Sequence, residues 1–291
     1  MKSIGIAETF APMLVGVLLD AVLLGIVIVQ TYTYFSRYPK DSIWFKILVT
    51  YLMVAELANT VFDIALIWEP LIALGGVMRG PPKFLPADAV TTTLISTPVQ
   101  VFLAWRLYVI TKSKILPIIV CCLSFCSLAG GVFLCSVVLS RQDMFNRSGP
   151  GPAAAITWLV SSSVTDVVIA AGLVYALHSR RGGMKTPFDS YVTRVIRMSV
   201  QTGALTAIAV CSDAIIFIAV QHADIPNSFF AWDLILSKLY TNSLLASLNT
   251  RPTEDADSAR QPALFIDDII KAAHLDSSDS KTDSSSTVNV V

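Results

Sequence analysis

The chain has 291 residues, 54% hydrophobic and 14% charged, with 21 Lys+Arg against 21 Asp+Glu and a mean hydropathy of +0.65. Soluble domains carry roughly 25% charged residues, so this composition excludes an ordinary soluble domain and points to a membrane protein. The even balance hides an asymmetry: residues 251–291 hold eight acids and four bases, leaving seventeen bases to thirteen acids elsewhere. A basic excess in short loops is what membrane topology requires, not a nucleic-acid footprint.

A helix needs about 20 mostly apolar residues to cross the hydrocarbon layer. Seven stretches qualify: about 11–35, 44–70, 89–110, 115–139, 154–178, 195–221 and 229–249. The first is too long for a secretory signal and is read as an uncleaved span; it carries Asp20. The second places Glu56, Asn59, Thr60 and Asp63 at i, i+3, i+4, i+7, a single polar stripe. MRGPPKFLP at 78–86 reads as an irregular exterior loop. Pro98 in the third span and Pro117 in the fourth each remove a backbone donor and are expected to kink their helices. Arg106 ends the third span between Trp105 and Tyr108, where it reads as a snorkelling interfacial anchor. The fifth span groups Ser162, Thr165 and Asp166; in the sixth Thr202, Thr206 and Asp213 share a face. The seventh closes on SKLYTNSLLASLN (237–249), whose Lys238, Asn242 and Asn249 fall on one side of a helix, with Asp233 nearer its edge.

Orientation follows from Lys and Arg. The first, third and fifth connections, with adjoining helix ends, carry eleven of them against five on the opposite side, so the N-terminus is expected outside and the C-terminus in the cytoplasm. The sequon Asn146-Arg147-Ser148 falls in a loop assigned to the exterior, a candidate glycosylation site. The five tryptophans lie near predicted helix ends, where indole prefers the headgroup boundary. Five cysteines sit in apolar runs without zinc spacing and read as small packing residues.

The expected fold is therefore an all-α integral membrane protein. A bundle of seven transmembrane helices fills residues 1–250, and a disordered cytoplasmic tail follows over 251–291. Within the tail, 262–275 has the pattern of a short amphipathic helix. A plasma or secretory-pathway membrane is the expected location.

An ionisable group at mid-membrane costs about 2.5–3.5 kcal/mol, so each needs a partner or water. Asp20, Glu56, Asn59, Asp63, Asp166, Asp213, Lys238 and Asn242 form the candidate intramembrane polar site, with Lys238 expected to pair with one of the carboxylates in an outward-facing cavity. Three readings stay open for them: interhelical hydrogen bonding alone, a ligand site, or an ion or proton path.

Four stretches carry a family resemblance: VQTYTYFSRYPKD (29–41), NTVFDIALIWEPLI (59–72), PVQVFLAWRLYVITKS (98–113), and SKLYTNSLLASLN followed by TR. Together they resemble a family of seven-pass proteins, known as a domain of unknown function and abundant in mushroom-forming fungi. The similarity runs from about residue 14 to 251. It implies seven membrane helices and no established activity. The family's FxxPLSK-like lead into the last motif is replaced here by FFAWDLILSK.

Among functions, a receptor or sensor with an outward-facing polar cavity leads. A proton- or cation-coupled transporter or channel is the alternative, and a structural protein without a ligand the third. A retinal chromophore would suit Lys238, but the third span offers no acid in its body as counter-ion. An enzyme is not expected: three histidines, His178, His222 and His274, cannot converge within the membrane, and no G-x-S-x-G elbow occurs. The expected partners are the lipid bilayer and a small-molecule ligand or cation, with no nucleic acid and no cofactor.

Overall fold

A computed structural model describes residues 6–76, 82–140, 149–180, 187–220 and 229–251. The chain divides into two units, Met1–Arg251 and Pro252–Val291. The second lies outside the described residues, as do the tail helix expected at 262–275, the sequon at Asn146, and residues 77–81 of the loop before the third span.

Seven α-helices make up the described part of the first unit: α1 (Ile6–Arg37), α2 (Ile43–Trp68), α3 (Leu85–Thr111), α4 (Ile115–Leu139), α5 (Pro150–Arg180), α6 (Pro187–Val220) and α7 (Phe230–Asn249). A π-helical turn, Glu69–Ala73, prolongs α2. It begins next to Pro70, whose ring removes a donor and pushes the ladder to wider spacing: Leu74 N–H reaches back to Glu69 O at 3.0 Å. Gly75 and Gly76, with φ of 61° and 81°, then end the helix in a conformation that side chains resist.

Six helices, α1 to α6, are long and apolar enough to cross a membrane. The chain is a multi-pass integral membrane protein. Leu18, Val22 and Val29 on α1, and Ile115 and Ile118 on α4, point outward as a lipid-facing surface does. The seventh helix is different. At 20 residues it is about 30 Å long, but its Asp, Lys, Asn, Ser and Thr residues keep it below the hydropathy of a span. Its place in the bundle explains the composition: α1, α2, α3 and α6 all pack on it, and most of its residues are buried. A helix that scarcely meets lipid has no need to be greasy.

α1 and α7 run parallel. Asp20 meets Lys238, Leu23 meets Asn242 and Gln30 meets Asn249, in ascending order on both helices. The polar side of SKLYTNSLLASLN therefore faces α1. Close approach at the other end rests on Gly16, where an added Cβ would stand 2.7 Å from Phe230 O.

Several local expectations change. Pro117 occupies the first turn of α4, where a backbone N–H has no intrahelical partner, so nothing is lost there. Leu85 and Pro86, expected in a loop, already belong to α3, with the proline again in the first turn. Pro98 lies in mid-helix, and the carbonyl it frees, Leu94 O, accepts the Tyr51 hydroxyl at 2.9 Å. Trp158 is buried against its neighbours, packed where α4 narrows to Gly130. Cys122 and Cys126 lie on the exposed face of α4 and so do not serve as interior packing residues.

Candidate functional site

Polar side chains from α1, α2, α3 and α7 meet in a layer between two apolar clusters. One cluster gathers Phe10, Met13, Leu66, Leu85, Phe217 and Phe230. The other gathers Val27, Leu52, Val99, Leu103, Leu244 and Leu248. Lys238 stands in the layer with no solvent exposure. Its ammonium lies 2.6 Å from Asp20 Oδ1, 3.2 Å from Glu56 Oε2 and 3.7 Å from Asp63 Oδ2. It also donates to Asn59 Oδ1 at 2.6 Å.

The shell around these groups is well supplied with donors. Thr60 Oγ1 donates to Asp20 Oδ2 at 2.9 Å, and Thr241 Oγ1 donates to Glu56 Oε1. Ser237 Oγ shares Asn59 Oδ1 with the lysine. The Asn59 amide then donates to Asp88 Oδ1 and Thr91 Oγ1, each at 3.0 Å, and carries the network into α3. The stripe on α2 thus works as one unit because 3.6-residue periodicity stacks Glu56, Asn59, Thr60 and Asp63 on the face that meets α7.

A second group sits lower on α7. Tyr240 OH donates to Asp166 Oδ2 at 2.7 Å, and Gln100 Nε2 donates to Asp166 Oδ1 at 3.1 Å; Ser162 Oγ lies 2.9 Å from the same phenol. Asp166 is therefore neighbour to an uncharged set and not to Lys238. Asp213 is buried with neither oxygen hydrogen-bonded among the described residues. Asp233, also buried, borders a small void of about 10 Å³ beside Phe217, Phe229 and Trp158. Asn242 leaves the lysine layer for the Leu23 carbonyl on α1.

Two expectations about this region do not hold. Lys238, Asp20, Glu56 and Asp63 are wholly unexposed, so the layer is closed, not an open outward-facing cavity. Arg106 does not snorkel outward: its guanidinium turns into the bundle, donating to Ser199 Oγ on α6 at 2.5 Å and to Ser247 Oγ on α7. Asp88, Thr91, Ser237, Thr241, Gln100 and Tyr240 were not among the expected site residues. Asp88 lay one residue before the expected third span; its spacing to Thr91 and Thr92, i+3 and i+4, was the available signal. Among the described residues, no cluster of His, Cys, Asp or Glu converges as metal ligands would.

At the end of the bundle where α7 stops, Arg251 grips Asp41 through two nitrogens, at 2.5 and 3.3 Å. Tyr34 OH donates to the same carboxylate at 2.8 Å. The guanidinium also lies 4.7 Å from the Tyr38 ring centre and 5.4 Å from that of Phe45. Burial alone would raise the Asp41 carboxyl, but the hydrogen bonds and charge of Arg251, with the Tyr34 hydroxyl and the Ser42 N–H, hold it below the usual range. Burial, partly opposed by the Arg251 charge, pushes the Tyr38 phenol up. The stretches VQTYTYFSRYPKD and SKLYTNSLLASLN-TR are joined here, through Tyr34, Tyr38, Asp41 and Arg251.

Residues 162–253 match a family of unknown function, DUF6534. The matched stretch covers about a third of the chain. It takes in Ser162, Asp166, Asp213, Lys238, Tyr240 and Arg251, while their partners Asp20, Asp41, Glu56, Asn59 and Asp88 lie upstream of it. The DUF6534 match is thus narrower than the resemblance read from residue 14 onward, and includes the last of its four motifs. No curated protein and no solved structure matches the chain.

Proposed function

We propose that this membrane protein is a seven-helix, receptor-like sensor whose stimulus acts through protonation of the closed layer around Lys238. The observation that carries the reading is a charge mismatch. Six buried carboxyl groups, Asp20, Glu56, Asp63, Asp88, Asp213 and Asp233, share the region with one ammonium. So many carboxylates cannot all be ionised in a dry interior, so the layer holds protons whose number sets its net charge. Apolar clusters on either side favour a stimulus as small as a proton over an organic ligand.

In this reading all seven helices cross the bilayer. The parallel course of α1 and α7 supports placing the chain ends on opposite sides, and the distribution of Lys and Arg favours the N-terminus outside. A proton-coupled transporter is the second reading. It is favoured by the further polar groups that recur along α7 beyond the Lys238 layer, Tyr240–Asp166 and then Ser247–Arg106.

Purified protein in liposomes separates the readings. The sensor reading expects tryptophan fluorescence to change between about pH 5 and pH 8 while an imposed pH gradient persists, and Lys238→Met to abolish the change. Dissipation of the gradient by wild type, lost in Asp63→Asn, would favour transport. Neither response would leave the polar layer as interhelical hydrogen bonding alone. Glycosylation scanning at Asn146 tests the orientation.

A further inference from the structure

A groove of about 170 Å³ lies on the outer face of the bundle between α1 and α6, floored by α7. The two flanking helices scarcely touch one another, although both pack on α7. Ile26 and Leu205 form exposed rims, and Leu239 and Ala246 contribute to the apolar floor. Apart from Ala246 in the last turn of α7, the lining residues sit well inside their helices, so the groove opens toward acyl chains and not toward water.

Two features of the lining are chemically specific. No charged residue borders the groove. Two amide side chains do, and Gln30 Oε1 and Asn242 Oδ1 are both buried acceptors without a hydrogen-bond donor among the described residues. Unsatisfied acceptors in hydrocarbon cost on the order of 1–3 kcal/mol each, and water at that depth is scarce. A bilayer molecule that brings donors would complete them.

We propose that this groove binds a neutral lipid carrying at least two O–H or N–H donors, of the ceramide class. The absence of charged side chains argues against an ionic headgroup. Two acceptors call for two donors, which a ceramide supplies as hydroxyls and an amide N–H. The volume of about 170 Å³ suits such a compact head, and the Ile26 and Leu205 rims receive the chains.

The test uses the full-length protein in phosphatidylcholine vesicles with a diazirine-bearing ceramide. Photolabelling is expected on α1 and α7 peptides around Gln30 and Asn242, displaced by unlabelled ceramide and much less by diacylglycerol, which has one donor. Gln30→Leu should lower labelling about three- to tenfold, the equivalent of one lost hydrogen bond. Ala246→Phe, which fills the floor, should abolish it. If Ala246→Phe does not elute as a folded monodisperse species, Gln30→Leu decides alone. Equal competition by diacylglycerol, labelling spread evenly over the outer faces of α1 to α6, or labelling unchanged in Gln30→Leu would each overturn the proposal.

Discussion

Replacing Lys238 with methionine removes the one ammonium from the polar layer while keeping an unbranched chain of similar length. Asp20, bonded at 2.6 Å, loses its cation, and Glu56 and Asp63, at 3.2 and 3.7 Å, lose the same charge. Removing one partner of a buried ion pair costs about 3–5 kcal/mol, because the other charge stays out of water without compensation. At roughly 2–4 °C of Tm per kcal/mol for large domains, Lys238→Met should melt about 6–20 °C below wild type. Because the penalty comes from the stranded carboxylates, adding Asp20→Asn should return part of it, with a coupling of about 0.5–3 kcal/mol. The assay is the fraction of protein still monodisperse on size exclusion after heating in mild detergent. A single variant within about 2 °C of wild type, or a double variant whose losses simply add, would refute the reasoning.

Arg251→Ala should lower stability by about 1.5–3 kcal/mol, the range for hydrogen bonds to a charged group. Since Asp41 is held below its usual range, its contribution is fully present above about pH 4 and is lost as pH falls through the folded value; the gap between wild type and Arg251→Ala should therefore shrink on acidification, as measured by Tm at pH 7 and pH 3. Tyr240→Phe leaves Asp166 Oδ2 without its donor and should cost about 1–3 kcal/mol, read in the same melting assay. Gly130→Ala sets a Cβ 2.8 Å from the Trp158 backbone nitrogen and forces α4 and α5 apart, whereas Gly25→Ala meets nothing within 4 Å. The first should destabilise clearly; the second should be neutral or gain about 0.5–1 kcal/mol of helix propensity.

The helices were legible because lipid imposes one requirement, an unbroken apolar run, and each expected run overlaps one helix, although α6 begins at Pro187, eight residues before its run. α7 was the exception in kind. Its sequence looked too polar for lipid, and the resolution, that its polar side meets other helices, was readable from the i, i+4 spacing of Lys238 and Asn242. What could not be read was which partner each polar group would take. Asp166 and Lys238 were grouped in one candidate polar site, yet rotation about α7 sends Lys238 toward α1 and α2 and Tyr240 toward α5. Arg106 was misplaced for a related reason: sequence shows that a long basic chain sits at a helix end, but not that Ser199 and Ser247 offer it hydroxyls inside.

The helix at the centre is also the one translated last among the described helices. A nascent chain that has reached Val220 has built the walls around Asp20, Glu56 and Asn59, but their cation and the Thr241 hydroxyl are still to come. At roughly 5–20 residues per second, the ribosome needs seconds more to deliver Phe230–Asn249. During that interval the half-built bundle has an unfilled polar seam. Closure of the polar layer thus waits for α7 rather than accumulating helix by helix.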